Sequence, residues 1–322
     1  MKRKVSVITT GGTIASKPIE NGLLNSGAIT GEELAALCQL PEEIEIKIID
    51  VFQLPSMHIG FKEMLKIRDV ILNEFEDPDV SGIVVTHGTD SLEETAYFLD
   101  LTIADERTVV ITGSQRSPFE VGSDVFSNLS NSILVASEPA TYGSGTVVVF
   151  NERIYSARYI RKVHSSNLQA FDVFGHGYLG IIDSGVVRVY QKPVNREVYK
   201  NLHKEPKVDI IKCYSGASGT VIEALVDDGV EGIILEGVGR GQVSPYMMPA
   251  INKAVSKGVH VVVTTSAEEG RVYPAYDYLG SAADLMRNGV VLGGDYNSKK
   301  ARIKVAVLLA SGNTIDKTVF EN

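Results

Sequence analysis

Short apolar runs rich in β-branched residues alternate along the chain with amphipathic stretches of helical length. In the first half, the candidate strands are residues 5–8, 44–51, 82–85, 108–111 and 146–149. The candidate helices between them are residues 31–38, 61–75, 91–103 and 128–136. Runs that are apolar nearly throughout are typical of strands buried on both faces of a parallel sheet, with helices packed on either side. The alternation therefore predicts a doubly wound α/β fold.

A polar stretch from residue 186 to 207, carrying Pro193 and Pro206, interrupts this alternation. The pattern then resumes, with candidate strands at residues 208–213, 232–235 and 259–264 and candidate helices at 219–227 and 247–257. A chain of 322 residues also exceeds the size at which single cores stop growing. We therefore predict two doubly wound α/β domains: a larger N-terminal one with a parallel-type sheet (1–190), a linker (191–207) and a smaller C-terminal one (208–322).

Charge and composition exclude several classes of function. The net charge of −9 is opposite to the basic surface that phosphate backbones require, so we expect no nucleic-acid partner. No apolar stretch is long enough to span a bilayer, and the run after Met1–Lys4 is too short for a signal peptide, which predicts a cytoplasmic protein without membrane association. The six histidines lack paired ligand spacing, so we expect no metal and no cofactor. Cys38 and Cys213 are expected to be small buried apolar residues rather than nucleophiles.

The segments that leave the strands carry the chemistry, because ligands of open parallel sheets bind beyond the carboxyl ends of the strands. The first strand leaves into residues 9–16 (TTGGTIAS). Gly11 and Gly12 would let backbone N–H groups approach a ligand closely, and the hydroxyl of Thr13 follows directly. A tight strand exit with incidental threonines is the alternative. The polar residues 17–27 that follow are either a mobile lid or a plain surface loop.

A second strand leaves into residues 86–94 (THGTDSLEE). Asp90 or Ser91 could cap the next helix, but capping does not explain why Thr89 and Asp90 place a hydroxyl beside a carboxylate at a strand end. His87 could be a general base or a structural histidine bonded to backbone. Further on, residues 158–164 (RYIRKVH) form a basic cluster, which is either a solvated face or the source of an activated lysine.

Taken together, these segments resemble the bacterial-type L-asparaginase family. Residues 10–15 (TGGTIA) resemble its first threonine signature and residues 86–90 (THGTD) its second, continued by 93–96 (EETA). The match runs on through 113–116 (GSQR) and 124–162, and more loosely through 237–239 and 300–302. It covers nearly the whole chain.

The resemblance implies an amidohydrolase that converts L-asparagine to L-aspartate and ammonia through an acyl-enzyme. Thr13 would be the nucleophile, and Thr89, Lys162 and Asp90 would form a hydroxyl–amine–carboxylate triad that moves protons. Ser56 would hold the substrate α-carboxylate, and Asp90 would meet the α-ammonium. The substrate-binding set implied in this way is Gly12, Ser56, Thr89, Asp90 and Ser114.

The family forms its sites between the N-terminal domain of one subunit and the C-terminal domain of a neighbour. The resemblance therefore implies a homo-oligomer, a dimer or a tetramer, with shared active sites. The lid of periplasmic members carries a tyrosine, where this chain has Leu24. We hypothesise that Tyr278, or failing that Tyr276, supplies the phenol across the interface and is catalytic; the alternative is that these rings only bury area between subunits.

Two further departures, Met57 after the serine and Arg240 after residues 237–239, leave the preference for asparagine over glutamine open. A glutaminase-asparaginase is therefore one alternative. An amidotransferase subunit acting on misacylated tRNA is another, although it normally carries an extra N-terminal domain and the first strand here begins near Met1. The non-enzyme alternative is a small-molecule sensor on the same scaffold, which would need no nucleophile.

Overall fold

The computed structural model describes residues 2–19, 23–25, 29–36, 38 and 40–321. The chain divides into two compact units, Met1–Val198 and Tyr199–Asn322. This division falls inside the predicted linker, residues 191–207, where the backbone forms neither helix nor strand. The exact domain bounds given by the sequence pattern stay a prediction.

The described residues form sixteen strands and eight α-helices. The strands are β1 (Arg3–Thr9), β2 (Lys17–Pro18), β3 (Leu24–Asn25), β4 (Ile44–Asp50), β5 (Val80–Thr86), β6 (Val109–Thr112), β7 (Thr146–Phe150), β8 (Arg153–Ser156), β9 (Arg161–Lys162), β10 (Phe171–Asp172), β11 (Gly180–Asp183), β12 (Val186–Val189), β13 (Val208–Lys212), β14 (Gly232–Gly237), β15 (His260–Thr265) and β16 (Val291–Leu292). The helices are α1 (Gly31–Ala36), α2 (Phe61–Glu74), α3 (Leu92–Thr102), α4 (Val125–Ser137), α5 (Thr220–Asp227), α6 (Met248–Ser256), α7 (Ala282–Arg287) and α8 (Ser298–Ala310).

The first unit contains an eight-stranded sheet in the order β12-β11-β8-β7-β6-β5-β1-β4. The strands β4, β1, β5, β6 and β7 are parallel, which confirms the predicted fold class. The other three pair antiparallel at one edge. The sequence analysis missed these short strands and placed residues 186–189 in the polar stretch, because β12 is partly solvated and lacks the continuous apolar run of a central strand.

The interior of this unit forms where α4 packs across β1, β5, β6 and β7. Val5 and Val7 of β1 share one buried cluster with Leu129 and Ile133 of α4, and each of these side chains is at most 2% exposed. Four of the five parallel strands are therefore held in one layer by an apolar helix face. This packing fixes the position of the segments that leave the strands.

The two threonine segments leave the sheet side by side. The chain passes from β1 to the sheet edge at β4 and returns to β5 on the opposite side of β1. The connections after β1 and β5 therefore diverge, and such a switch point is where open α/β sheets bind ligands. Thr9 at the end of β1 lies in register with Thr86 at the end of β5.

The second unit contains a four-stranded parallel sheet in the order β13-β14-β15-β16. Helices α5 and α6 pack together, and α8 contacts β13, β14 and β15. The sequence analysis missed α7, β16 and α8. In α8 the charged residues Lys300 and Lys304 are only 2% and 0% exposed, so the helix shows no contrast between an apolar and a polar face. No helix in the described ranges is long and apolar enough to cross a membrane.

Candidate active site

A cavity of about 320 Å³ lies at the carboxyl ends of β1 and β5, at the switch point of the first sheet. All its lining residues belong to the first unit. They are Gly12, Thr13, Ser16, Leu24, Pro55, Ser56, Gly88, Thr89, Asp90, Gln115, Lys162 and Ser165. Thus Gly12, Thr13, Ser56, Thr89, Asp90 and Lys162 of the predicted site line the same cavity, and their roles in a reaction stay predictions.

The first strand exit lies against the second in close backbone contact. Gly12 has φ 86°, and a Cβ built on it would lie 2.5 Å from the backbone N and Cα of Gly88. Gly11 has φ 104°, and its Cβ would lie 2.5 Å from the backbone N of Leu54. Both positions therefore need glycine for conformation and for space. Directly afterwards the chain turns into a 3₁₀ helix that begins at Thr13.

The second strand exit holds the serine loop in place. A Cβ on Gly88 would lie 2.9 Å from the Cβ of Ser56, so the two segments are in close contact. The hydroxyl of Ser91 donates to the carbonyl of Ser56 at 2.7 Å. Ser91 is the N-cap of α3, but its side chain makes no capping hydrogen bond. The capping alternative is thus wrong for this hydroxyl, which joins α3 to the cavity wall instead.

Lys162 links the hydroxyl and the carboxylate of the second motif. Its Nζ donates to Oγ1 of Thr89 at 2.8 Å and to Oδ1 of Asp90 at 2.6 Å. The lysine side chain is 12% exposed, whereas that of Asp90 is 66% exposed. Lys162 is therefore not part of a solvated basic face. The Asp90 carboxylate is held at one oxygen and remains open to solvent for a cationic ligand.

A two-stranded hairpin positions Lys162. Strand β9 pairs antiparallel with β10, and Lys162 lies opposite Phe171, which is 1% exposed. The side-chain amide nitrogen of Gln169 donates to the Phe171 carbonyl at 2.9 Å and to the hydroxyl of Tyr155 at 3.0 Å. The hairpin is thereby fixed to strand β8 of the main sheet, which contains Tyr155.

The loop after β6 contributes Gln115, which the sequence analysis did not single out. The Asp124 carboxylate accepts hydrogen bonds from the backbone N–H groups of Gln115 and Arg116, each at 3.0 Å, and so fixes this loop. The predicted substrate-binding residue Ser114 is buried and does not line the cavity; its hydroxyl donates to the Arg116 carbonyl at 2.8 Å. Its contact with substrate stays a prediction. The place of Gln115 at a strand exit was the available signal for it.

His87 is a structural histidine. It is fully buried, its Nδ1–H donates to the carbonyl of Gly88 at 2.7 Å, and its Nε2 accepts from the hydroxyl of Thr95 at 3.0 Å. Burial lowers the pKa of His87 to about 4, although the Gly88 carbonyl acts in the opposite direction. With both nitrogens occupied and no place in the cavity lining, His87 does not act as the general base.

The polar segment 17–27 is described only in part; residues 20–22 and 26–27 lie outside the described residues. Its described part forms a small hairpin in which β2 pairs antiparallel with β3. Leu24 of β3 lines the cavity, at the position where the resemblance implies a tyrosine. Its role as a lid stays a prediction. Met57, next to Ser56, is 71% exposed.

Tyr278 belongs to the second unit, so the structure does not test its predicted catalytic role. Its ring is 51% exposed and lies 6.0 Å from that of Tyr276. In the same unit, the guanidinium carbon of Arg240 lies 5.6 Å from the ring centroid of Tyr273. A contribution of Tyr278 to a neighbouring subunit therefore stays a prediction.

The two cysteines do not fit a nucleophile. Burial, together with the charge of Glu236, raises the pKa of the Cys213 thiol to about 12. Burial also raises the pKa of Cys38, against the opposing hydrogen bond with Ser130. Because the thiolate is the reactive form, both thiols are inert at neutral pH. Among the described residues, no three His, Cys, Asp or Glu side chains could together hold a metal ion.

Comparison with known proteins identifies similar chains. Residues 4–195 match the family described as asparaginase, N-terminal, and residues 207–319 match the glutaminase/asparaginase C-terminal domain. An L-asparaginase of Bacillus licheniformis is 59% identical over 97% of both chains. L-asparaginase 2 of Bacillus subtilis is 34% identical over 97% of this chain and 84% of its own. A crystal structure of a probable cytoplasmic L-asparaginase from Campylobacter jejuni superposes with a TM-score of 0.89, at 30% identity over 99% of this chain and 98% of its own.

We expect Gly12→Ala to abolish most turnover while Gly143→Ala does not. Both glycines have a positive φ, 86° and 79°, so both substitutions carry a backbone strain of about 1–2 kcal/mol. Only at position 12 would the new Cβ meet the neighbouring backbone, since nothing lies within 4 Å of a Cβ at position 143. Steady-state kinetics and thermal unfolding of both variants test this. Equal loss of activity would show that strain, rather than the approach to Gly88, limits position 12.

We expect His87 to make the protein less stable in acid. Because its pKa in the folded state is lowered from 6.5 to about 4, the unfolded chain binds the extra proton first as pH falls through this window. The resulting loss of unfolding free energy is about 3 kcal/mol. His87→Asn keeps a donor for Gly88 but cannot titrate. We expect this variant to be less stable than wild type at neutral pH. The difference in unfolding free energy, measured by denaturant unfolding, should shrink by about 3 kcal/mol between about pH 7.5 and about pH 4. A difference in unfolding free energy that does not change with pH would contradict the lowered pKa of His87.

Proposed function

We propose that this chain, which belongs to the bacterial-type L-asparaginase family and is an amidohydrolase, converts L-asparagine to L-aspartate and ammonia with Thr13 as nucleophile. One observation carries the mechanism: the Lys162 amine is bonded to both Thr89 and Asp90 on the wall of the cavity that Thr13 lines. A sensor of small molecules would need a cavity but not this hydroxyl–amine–carboxylate chain. Together with the Thr13 hydroxyl, this chain supplies a nucleophile and a route for protons in acyl transfer.

In the first step, Oγ1 of Thr13 attacks the side-chain amide carbon of the substrate. A bond from Oγ1 to carbon forms, the carbonyl oxygen becomes an oxyanion, and the hydroxyl proton enters the Thr89–Lys162 chain, which delivers a proton to the departing nitrogen. Collapse of this intermediate breaks the carbon–nitrogen bond and leaves an aspartyl ester on Thr13. Backbone N–H groups at the glycine turns of residues 11–13 and 87–89 are the candidate oxyanion donors, and one such donor typically contributes about 3 kcal/mol.

The departing nitrogen needs a proton, because an amide anion is too basic to leave. The Thr89 hydroxyl is the candidate donor, and it is resupplied by the Nζ of Lys162, 2.8 Å away. Asp90 balances the charge of the amine at 2.6 Å. Ammonia then departs, and a water molecule attacks the ester. Its proton returns along the same chain, aspartate leaves, and the Thr13 hydroxyl is restored.

The polar ends of the substrate fit the rest of the wall. Ser56 is 4% exposed and lines the cavity beside Gly88, where a hydroxyl can donate to the substrate α-carboxylate. The Asp90 carboxylate is open to solvent and can receive the α-ammonium. Gly12 presents bare backbone to the cavity. We expect asparagine to be preferred over glutamine, as the family resemblance implies; one extra methylene in a pocket is typically worth about 1–3 kcal/mol.

We also propose a homo-oligomer with shared active sites, and the cytoplasm as its location. The first proposal is supported by the family arrangement, in which a C-terminal domain completes the site of a neighbour. The second is supported by the similarity to a probable cytoplasmic L-asparaginase. Sedimentation of the purified protein tests the first proposal. Fractionation of cells against a periplasmic marker tests the second.

The direct assay is ammonia release on adding L-asparagine, with L-glutamine in parallel and with and without a chelator. We expect release from asparagine at the higher kcat/KM and no effect of the chelator. In the same assay, Thr13→Ala and Thr89→Val should each lower kcat by about 10³-fold or more, because each removes a hydroxyl that acts on reacting atoms. Circular dichroism checks folding.

A matched control is Thr102→Val, which removes a buried hydroxyl bonded to the Phe98 carbonyl within α3. It should leave kcat close to wild type. If Thr13→Ala turns over normally, Thr13 is not the nucleophile. If Thr89→Val does, the proton does not pass through Thr89. Absence of ammonia from both amides would contradict the proposed reaction itself.

Lys162→Met should lose kcat by about 10²–10⁴-fold with little change in KM, because a proton carrier acts mainly in the transition state. Lys162→Arg is the companion variant. It keeps a positive charge and donors, but a guanidinium does not give up its proton in proteins. We expect it also to lose kcat. A loss confined to KM in either variant would show that Lys162 only helps to bind the substrate.

Tyr278→Phe tests the phenol proposed to replace the one missing at Leu24. It removes one hydroxyl and keeps the ring, so a catalytic role predicts a fall in kcat of about 10²-fold and a packing role predicts none. Tyr214→Phe is the control, since that ring is 66% exposed in the same unit. Mixed oligomers of Tyr278→Phe and Thr13→Ala subunits should regain activity. Wild-type turnover by both Tyr278→Phe and Tyr276→Phe would dismiss the idea.

A further inference from the structure

Two residues after Lys162, the imidazole of His164 accepts two backbone hydrogen bonds. Its Nδ1 lies 2.9 Å from the backbone nitrogen of Asn167 and 3.1 Å from that of Ser166. Both of these groups are N–H donors, so Nδ1 is the acceptor of both hydrogen bonds. A single side-chain atom thus closes the turn from His164 to Asn167.

This turn lies in the connection between β9 and β10. At the base of the connection, the N–H groups of Val163 and His164 both donate to the carbonyl of Ala170, at 2.8 and 3.2 Å. At its far end, Oδ1 of Asn167 accepts from the N–H of Gln169 at 2.9 Å. Among these hydrogen bonds, the two that His164 accepts order the side of the loop nearest Lys162.

Two residues of the cavity wall flank His164 in sequence. Lys162 precedes it by two positions and Ser165 follows it directly. Lys162 makes short bonds with Thr89 and Asp90, and a shift of the hairpin loop would lengthen them. Ser165 is exposed, so its place on the wall depends on the course of the backbone rather than on packing.

We infer that His164 is a positioning residue for the reaction: by accepting two backbone hydrogen bonds it fixes the turn that holds Lys162 and Ser165 on the cavity wall. This inference rests on the proposed role of Lys162 as proton carrier. His164 does not line the cavity and touches no reacting atom. Its effect on turnover passes through the backbone to the amine of Lys162.

The test separates hydrogen-bond acceptance from bulk and from charge. His164→Asn replaces Nδ1 by a carboxamide oxygen, which commonly accepts from the N–H groups two and three residues on. His164→Leu and His164→Ala remove the acceptor. We expect His164→Asn to keep kcat within a few-fold of wild type. The other two should lose about 10- to 10²-fold in kcat, as expected for a displacement of about 1 Å.

His203→Leu is the matched control, because His203 is also exposed and lies in the second unit. Thermal unfolding is recorded for every variant, and His164→Ala guards against poor tolerance of one apolar side chain. Wild-type kcat in His164→Leu and His164→Ala overturns the inference. So does an equal loss in His164→Asn, since acceptance of the two bonds would then not be what matters.

Lys162→Met distinguishes failure of this inference from failure of the mechanism. If Lys162→Met loses kcat and the His164 variants do not, Lys162 carries the proton without help from His164. If Lys162→Met keeps kcat, the proposed role of Lys162 is wrong, and the inference about His164 falls with it. Loss in Lys162→Met and in both acceptor-free variants, with recovery in His164→Asn, supports both.

Discussion

The site depends on a contact between two glycines. Gly12 after β1 and Gly88 after β5 approach so closely that a methyl group on Gly12 would meet the backbone N and Cα of Gly88. This contact brings the exits of two neighbouring strands together at the point where their connections diverge. The Thr13 hydroxyl on one side and the Thr89 hydroxyl on the other thereby line the same cavity. With larger residues at these two positions, the segments that carry Thr13 and Thr89 could not approach closely enough to line one cavity.

The side chains around this contact differ in charge and in exposure to solvent. His87 is kept neutral by burial and by hydrogen bonds at both ring nitrogens, and it supports the Gly88 turn without adding charge. On the cavity lining, Lys162 is mostly buried and Asp90 is exposed to solvent. Their charges compensate each other without closing the site to a zwitterionic substrate. Because His87 stays neutral, the proposed mechanism assigns proton transfer to the threonine hydroxyls and to the amine of Lys162.

Much of this arrangement could be predicted from the sequence. The central parallel strands are largely apolar runs, and Thr13, Thr89 and Asp90 lie within four residues of strand ends, so their convergence follows from the α/β topology. The C-terminal helix α8 could not be predicted in this way. Its buried Lys304 is satisfied by the Val319 carbonyl at 2.6 Å and the Tyr296 hydroxyl at 3.2 Å, contacts that no periodicity reveals. The antiparallel strands β8, β11 and β12 were missed because each has only four residues and β12 is also partly solvated.

Side-chain direction was the other limit. Sequence placed both Ser114 and Gln115 at a strand exit but could not say that Gln115 lines the cavity while the Ser114 hydroxyl turns back to the Arg116 carbonyl. It also left His87 open between base and support, because only burial and hydrogen bonding at both nitrogens decide between them. Similarly, Lys162 follows no parallel strand and reaches Thr89 through a hairpin.

The central claim is that Thr13 carries the acyl group. The most direct test is to mix the wild-type enzyme rapidly with L-asparagine, stop the reaction in acid during turnover, and locate the aspartyl ester by peptide mass spectrometry. Hydroxylamine added in parallel intercepts the ester as aspartyl hydroxamate. The account predicts hydroxamate formation and an ester on Thr13. An ester on Thr89, or turnover with neither ester nor hydroxamate, would contradict it.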